Sequence, residues 1–332
     1  MRTASVVVVV AIAGGQTLMA CSRPKEVAGD LAADTRLLGA FGGRVYWANA
    51  ETLSWTDDTL EKPESYDVVG VDWAERANFA ADASSVYFSH HNKVSHVPTR
   101  GNADRNFVPN GWMISPPAEH PTGIAVEGTS VYVLGLDVEC FNHGAVIGLA
   151  RETGSLLFRR DAPANGGQPV EFSVDGDFYY WIDGRGSERE SSRRDPKVMA
   201  LPRQPGPAMV VAEREGAPTD LHVGSRGVYW RTHAGIRFAA KGPSGFGAAS
   251  TLVSDPIHGS PPAAITSLLV DADDVFFTAG DGVYALSKGS SEPRRLAEQP
   301  GAHDLVTDGR FLYWLRNSGD GTARSIVRVR RP

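Results

Sequence analysis

A short apolar stretch recurs seven times along this chain, with two or three β-branched or aromatic residues in a row. The copies are Val45-Tyr46-Trp47, Val86-Tyr87-Phe88, Val131-Tyr132-Val133, Tyr179-Tyr180-Trp181, Val228-Tyr229-Trp230, Val275-Phe276-Phe277 and Leu312-Tyr313-Trp314. Tyr46 and its counterparts are separated by 41, 45, 48, 49, 47 and 37 residues. Periods near 40 to 50 residues, with no long stretch of helical periodicity, are typical of β-propeller blades. The spacing therefore predicts an all-β fold.

Each repeat contains further strand signals around this anchor. In one unit, residues 169–174 are extended, Asp175-Gly176-Asp177 form a turn, and the anchor strand is followed by apolar segments at 198–201 and 209–212. Four short antiparallel strands in each unit constitute a blade. We predict a seven-bladed β-propeller of four-stranded antiparallel blades, or six blades if the first anchor is accidental. The last unit ends after its third strand, and the segment before Leu37 is a candidate for its outer strand.

The N-terminus predicts export rather than folded structure. Arg2 is followed by the apolar run 4–13, and Leu18-Met19-Ala20-Cys21 resembles a bacterial lipobox. We predict a signal peptide at 1–20, lipidation of Cys21, a tether at 21–36 and a propeller domain at 37–332. An ordinary secretory cleavage site is the alternative, and the apolar run is too short for a membrane-spanning helix. Ser22 after the cysteine implies, by the same resemblance, the outer membrane or a periplasmic or cell-surface location.

Composition narrows the classes of partner. The chain has 332 residues and a net charge of −6, which argues against nucleic acid as a partner. Only Cys21 and Cys140 are present, so a disulfide framework is excluded.

Two repeated features each allow a structural and a functional interpretation. The anchors are apolar at consecutive positions, which predicts strands buried on both faces, whereas an aromatic stacking platform would need them exposed. An acid or glycine precedes the anchor by five residues in most repeats: Asp82, Glu127, Asp175, Gly224, Asp271 and Asp308. These positions predict hairpin turns rather than a metal site, because Asp and Gly favour turn conformations.

A direct search finds no enzyme or nucleotide-binding motif, so no catalytic residue, cofactor or metal is predicted. The longest polar loops connect successive blades or the second and third strands within a blade, and such loops meet on one face of a propeller. The candidate binding rim there comprises Trp112, His120, Asp137, Glu139, His143, Arg185, Glu188, Arg193 and Arg194. A solvated, flexible loop is the alternative for 184–197, and Cys140 with His143 lacks the third member of a catalytic triad.

The anchors resemble those of the YWTD and NHL-like propeller families, and of bacterial lipoproteins built from such repeats. The resemblance covers residues 37–330, although the Thr-Asp of YWTD repeats is absent. Two functions follow as hypotheses. The first is a lipid-anchored, non-enzymatic binding or scaffold module for a protein or cell-envelope ligand. The alternative is a metal-dependent hydrolase or lactonase of the gluconolactonase type, for which Glu171, Asp220 and Asp304 are the acids nearest the channel.

Overall fold

The structure is a computed structural model that describes residues 23–49, 52–57, 63–67, 79–82, 85–90, 93–98, 110–113, 119–137, 143–163, 168–185, 196–243, 245–254 and 264–331. Throughout these ranges the regular structure is entirely β-strand, arranged as seven antiparallel sheets. The predicted seven-bladed β-propeller is therefore confirmed, and the six-bladed alternative is wrong. Within the same ranges, no helix is long and apolar enough to cross a membrane.

The strands of each blade are labelled A to D from the central channel outward. Blade 1 contains β2 (Arg36–Phe41), β3 (Arg44–Ala48), β4 (Thr52–Thr56) and β5 (Glu64–Asp67). Blade 2 contains β6 (Phe79–Ala81), β7 (Ser85–His90), β8 (Lys93–Pro98) and β9 (Asn110–Met113). Blade 3 contains β10 (Glu119–Glu127), β11 (Ser130–Asp137), β12 (His143–Ala150) and β13 (Leu156–Pro163). Blade 4 contains β14 (Gln168–Val174), β15 (Phe178–Arg185), β16 (Lys197–Pro202) and β17 (Met209–Glu213).

The remaining blades follow the same order. Blade 5 contains β18 (Thr219–Gly224), β19 (Gly227–Thr232), β20 (Gly235–Gly242) and β22 (Ser250–Ser254), with the short β21 (Gly245–Phe246) paired to the end of β20. Blade 6 contains β23 (Ser267–Asp271), β24 (Asp274–Ala279), β25 (Gly282–Leu286) and β26 (Arg294–Glu298). Blade 7 contains β27 (Ala302–Thr307), β28 (Phe311–Asn317) and β29 (Ala323–Arg330), and its outer strand is β1 (Lys25–Ala32).

The N-terminal strand closes the ring. β1 pairs antiparallel with β29, and Lys25 lies opposite Arg328. This is the pairing that the missing outer strand of the last repeat suggested. Residues 25–32 fall within the range assigned to a tether, so this part of the range belongs to the propeller. The reason is that β29 would otherwise be an open edge with unpaired backbone groups.

The anchors form strand B of each blade, and they are buried. Trp181, Trp230 and Trp314 have no exposed surface, and Tyr46 and Tyr313 are at most 2% exposed. Seven apolar clusters fill the seven interfaces between neighbouring blades. The aromatic pairs are therefore the packing between blades, and the exposed stacking platform is excluded.

The two faces of the ring have different connections. The turn face, as we call it, carries the A-to-B and C-to-D connections, and its A-to-B hairpins are short, as at Gly42-Gly43 and 128–129. The loop face carries the B-to-C and D-to-A connections, including 186–196 and 255–266. Because strand A begins at the loop face, the start of every inner strand lies at that end of the channel.

Candidate functional site

The backbone places five of the predicted rim residues at the loop face of blades 2, 3 and 4. They are Trp112 near the end of β9, His120 near the start of β10, Asp137 at the end of β11, His143 at the start of β12 and Arg185 at the end of β15. Glu139, Glu188, Arg193 and Arg194 lie outside the described residues, as do Cys21 and Cys140. The binding role of this rim stays a prediction.

A cavity of about 440 Å³ occupies the central channel, between the seven inner strands. Polar residues line it near the starts of those strands: Arg36, Glu171, Thr219, Asp220, Ser267 and Asp304. Further along, the lining is mainly apolar, with His222 and Thr307 as polar exceptions; the apolar residues are Leu38, Phe79, Ile124, Phe172, Leu221 and Val306. The polar end of the channel therefore opens towards the loop face.

The three acids considered for the metal-dependent alternative all lie on this channel wall. Glu171, Asp220 and Asp304 have positive φ angles of 58°, 51° and 54°. Each lies where the pairing of strands A and B shifts register, in β14, β18 and β27. Non-glycine residues adopt this left-handed conformation infrequently, and Asp is among those that tolerate it best. The repetition in three blades indicates a shared role for the bulge.

Two of these acids bind the inner strand of the next blade. Asp220 Oδ2 of blade 5 accepts a hydrogen bond from Leu268 N of blade 6 at 3.2 Å. Asp304 Oδ2 of blade 7 accepts one from Leu37 N of blade 1 at 3.3 Å. The bulge turns each carboxylate sideways around the ring, and the acids thereby connect neighbouring blades.

Ser267 of blade 6 performs the same role with a hydroxyl group. Its Oγ accepts a hydrogen bond from Leu305 N of blade 7 at 3.0 Å. Sequence reasoning missed Ser267, although it lies four residues before the turn acid Asp271, just as Asp304 precedes Asp308. The position of Ser267 in the repeat could have identified it, whereas a search for acids could not.

Arginines neutralise the same two carboxylates. Arg231 Nε donates to Asp220 Oδ2 at 2.8 Å, and Arg36 lies 3.5 Å from Asp304 Oδ1. Both carboxylates are thus engaged by an arginine and by a backbone N–H group within the propeller itself. Within the described ranges, no group of three or more His, Cys, Asp or Glu side chains is placed to hold a metal ion.

The turn acids have a structural role, as predicted from their hairpin position. Asp175 Oδ1 accepts hydrogen bonds from the backbone N–H groups of Asp177 and Phe178, both at 2.8 Å. Its Oδ2 accepts the Tyr180 hydroxyl at 2.9 Å. Asp308 repeats the pattern in blade 7, where Tyr313 is the hydroxyl donor at 3.0 Å. The acid caps its own hairpin and binds the anchor tyrosine five residues later.

The same acids form ion pairs with the next blade. Asp82 pairs with Arg151 at 3.0 Å, and Asp175 pairs with Lys241 at 2.8 Å. Glu127 with Arg203, and Asp271 with Arg331, repeat the arrangement. Each cation lies at or just after the end of strand C in the following blade. These acids are therefore spread around the turn face, each with a local partner.

In blade 5, an acid of the neighbouring blade binds the A-to-B turn. Gly224 replaces the acid there, and Asp273 of blade 6 accepts hydrogen bonds from Ser225 Oγ at 2.5 Å and Arg226 N at 3.1 Å. A Cβ atom on Gly224 would lie 2.9 Å from Asp273 Oδ1. Glycine is thus required for the approach of a carboxylate from the neighbouring blade.

Comparisons with known proteins support the fold. No protein-family model matches the chain, and no curated protein matches it. The AfRom2 CNH domain is 9% identical, covers 92% of this chain and 98% of its own, and gives a TM-score of 0.60. The chain is a propeller. The WD40 β-propeller domain of Doa1 is 12% identical over 93% of this chain and 97% of its own, with a TM-score of 0.57.

One similar structure is an enzyme. An oligogalacturonate lyase from Vibrio parahaemolyticus is 7% identical, covers 94% of this chain and 97% of its own, and gives a TM-score of 0.57. Identities this low show the fold alone, because one propeller scaffold supports many unrelated functions. The resemblance to YWTD and NHL-like repeats, and to lipoproteins, stays a prediction.

Proposed function

We propose that this propeller is an exported, lipid-anchored binding or scaffold module that holds a protein or cell-envelope ligand on its loop face. The observation that carries the proposal is the difference between the two faces. On the turn face, short hairpins are capped by acids such as Asp175, and ion pairs such as Asp82–Arg151 join the blades. Three of the four connections longer than ten residues, 68–78, 186–196 and 255–266, lie on the other side with the polar channel mouth, whereas the fourth, 99–109, lies on the turn face.

A rigid ring with variable loops on one edge suits recognition, because loops on a rigid scaffold commonly carry binding residues. In this proposal the rim of blades 2 to 4 supplies the contacts, with Trp112 as an aromatic anchor. Arg185, Arg193 and Arg194 supply positive charge for an acidic partner surface. Aromatic and arginine side chains are the residue types that dominate binding energy at protein interfaces.

Affinity purification from the native envelope tests the rim. The variant Arg185→Gln/Arg193→Gln/Arg194→Gln is compared with Arg159→Gln/Arg294→Gln/Arg295→Gln, which removes the same charge from exposed positions on outer strands. We expect recovery of the partner to fall at least tenfold for the rim variant and to stay at the wild-type level for the control. Equal recovery in all three proteins would contradict the rim.

The lipid anchor has its own test. In the proposal Cys21 is acylated, and two or more acyl chains give durable attachment to a membrane. Labelling with radioactive palmitate should mark the wild-type protein and not the Cys21→Ser variant. Labelling of the variant, or a wild-type protein without label, would remove the anchor from the proposal.

The second candidate function is the metal-dependent hydrolase. The observation in its favour is that Glu171, Asp220 and Asp304 all lie on the channel wall. Against it, Asp220 and Asp304 already bind backbone N–H groups and arginines. Elemental analysis of the purified protein separates the two candidates: stoichiometric calcium or zinc, lost in Asp220→Asn/Asp304→Asn, would favour the enzyme.

A further inference from the structure

The N-terminal strand enters the propeller from the turn face. Lys25 at its start is paired with Arg328, and Ala32 at its end with Ala323. Because β29 runs from the loop face to the turn face, its antiparallel partner starts at the turn face. Only three residues lie between Cys21 and Lys25, and the four Cα-to-Cα steps that join them span at most about 14 Å when fully extended. A lipid on Cys21 therefore holds the turn face of blade 7 near the bilayer.

Positive charge is concentrated in this blade. Residues 23–32 and 302–331 contain eight Arg or Lys against five Asp or Glu, although the whole chain has a net charge of −6. At the turn face, the cations are Arg23, Lys25, Arg310, Arg328, Arg330 and Arg331. We call these six residues the blade 7 basic patch.

Acids also lie beside this patch. Glu26 pairs with Arg316 at 2.5 Å, away from Lys25. The Asp308 carboxylate accepts hydrogen bonds from two backbone N–H groups of its own turn and from the hydroxyl of Tyr313. Arg331 of the patch pairs with Asp271 and Asp274 of the preceding blade, just as Arg151 pairs with Asp82. The six cations of the patch therefore meet four acids at this part of the turn face, Glu26, Asp308, Asp271 and Asp274, and the local charge stays positive.

An aromatic ring lies within the patch. The guanidinium carbon of Arg328 is 4.5 Å from the centre of the Phe311 ring, and that of Arg310 is 5.0 Å away. Arg330 lies opposite Phe311 in the strand register and is exposed. Stacking on the ring helps to hold these two guanidinium groups in place. The result is a fixed group of cations at the end of the molecule where the anchor joins.

We propose that the blade 7 basic patch binds the headgroups of an anionic phospholipid bilayer. Two observations select a membrane over other polyanions: the patch surrounds the strand that follows the anchor, and it lies on the face opposite the loop-face rim. The orientation of the turn face towards the membrane rests on the lipidation of Cys21 in the proposed function. Since electrostatic attraction falls off within about 8 Å at physiological salt, the patch acts on the adjacent bilayer despite the negative charge of the whole chain. The rim then points away from the membrane.

Vesicle sedimentation with protein that carries no lipid tests the patch. A protein starting at Ser22 contains every strand of the seven blades, so the whole fold is present. We expect it to bind vesicles containing phosphatidylglycerol, to release in 0.5 M NaCl, and not to bind vesicles of phosphatidylcholine alone. The variant Arg23→Gln/Lys25→Gln/Arg310→Gln should bind on the order of 100-fold more weakly, since each cation near an anionic surface contributes about fivefold.

The matched control is Arg159→Gln/Lys197→Gln/Arg214→Gln, which lowers the net charge equally at positions outside blade 7. It should bind like the wild type. Equal losses in both variants would mean that net charge alone decides binding, and an absence of binding to phosphatidylglycerol would overturn the proposal. So would tighter binding to a short DNA duplex at the same phosphate concentration. Palmitate labelling of Cys21 is measured separately, so failure of the anchor and failure of the patch give different results.

Discussion

The capped hairpin of blade 4 allows a sharp test of how the blades are joined. Replacing Asp175 with Ala removes the acceptor for two backbone N–H groups, for the buried hydroxyl of Tyr180 and for Lys241. Tyr180 has no exposed surface, so its hydroxyl would have no water to replace the lost partner. The change therefore affects the hairpin and the interface with blade 5 together.

The magnitude follows from the partners. A hydrogen bond to a charged group contributes about 1.5–3 kcal/mol, but bonds to one carboxylate are not additive. The partly exposed ion pair between Asp175 and Lys241 adds at most about 1 kcal/mol. We expect Asp175→Ala to lower the free energy of unfolding by about 3–5 kcal/mol. Asp175→Asn keeps one acceptor for the turn and should cost about 1–2 kcal/mol.

Urea unfolding followed by tryptophan fluorescence measures this change. With a slope of about 3 kcal/mol/M, the midpoint should fall by about 1–1.7 M for Asp175→Ala. Asp177→Ala is the matched control, because its exposed carboxylate also lies 2.9 Å from Lys241 but does not accept the turn N–H groups. A loss as large in Asp177→Ala as in Asp175→Ala would refute the role assigned to the cap.

The stability of the wild type and that of Asp175→Asn should depend differently on pH. Burial acts to raise the pKa of Asp175, but hydrogen bonds from Lys241, the turn and Tyr180 outweigh it and hold the pKa below its ordinary value of 3.8. A carboxyl whose pKa is lowered on folding stabilises the protein above its unfolded pKa, and this stability is lost as the pH falls through the folded pKa. As the pH is lowered from 5, the free energy of unfolding should therefore fall more for the wild type than for Asp175→Asn. Parallel curves would contradict this assignment.

Three further changes test the ring. Removal of Lys25–Ala32 leaves β29 as an open edge, so light scattering should detect aggregation at a lower temperature than for the intact chain. Gly123→Ala places a Cβ atom 2.3 Å from Phe172 Cβ, and calorimetry should show a destabilisation of about 2 kcal/mol or more, whereas an unchanged melting temperature would mean that the inner strands separate freely. Asp304→Ala removes the acceptor of Leu37 N and should cost about 1.5–3 kcal/mol, while Asp304→Asn should cost less, both measured by urea unfolding.

The sequence predicted the parts of the fold that repeat. Seven aromatic anchors gave the blade number, because a strand buried on both faces needs consecutive apolar residues, as at Tyr180-Trp181. The turn acids were also assigned correctly, since Asp175 and Asp308 act through backbone conformation that depends on nearby residues. Both features are local, so a single repeat contains the information.

Contacts between blades could not be predicted in the same way. Gly224 looked like a missing acid, but Asp273 from the next repeat takes its place, and only the packing of blades 5 and 6 brings them together. Asp220 and Asp304 looked like channel ligands because a bulge in strand A, which turns the side chain sideways, has no clear sequence signal. The ligand of the rim depends on loops that do not repeat, so nothing in the pattern indicates its identity.

The closing strand has a consequence for biosynthesis. Among the strands of the described ranges, β1 is synthesised first and its partner β29 last. The ion pair between Glu26 and Arg316 can therefore form only after a further 290 residues have been synthesised. Closing a loop of that length costs about 4 kcal/mol more chain entropy than closing a three-residue hairpin. Blades 1 to 6 can form as the chain emerges, whereas blade 7 is completed only when both ends have reached the same compartment. A chain that is interrupted before β29 would remain an open arc with exposed strand edges, and such intermediates are the natural substrates of chaperones and proteases.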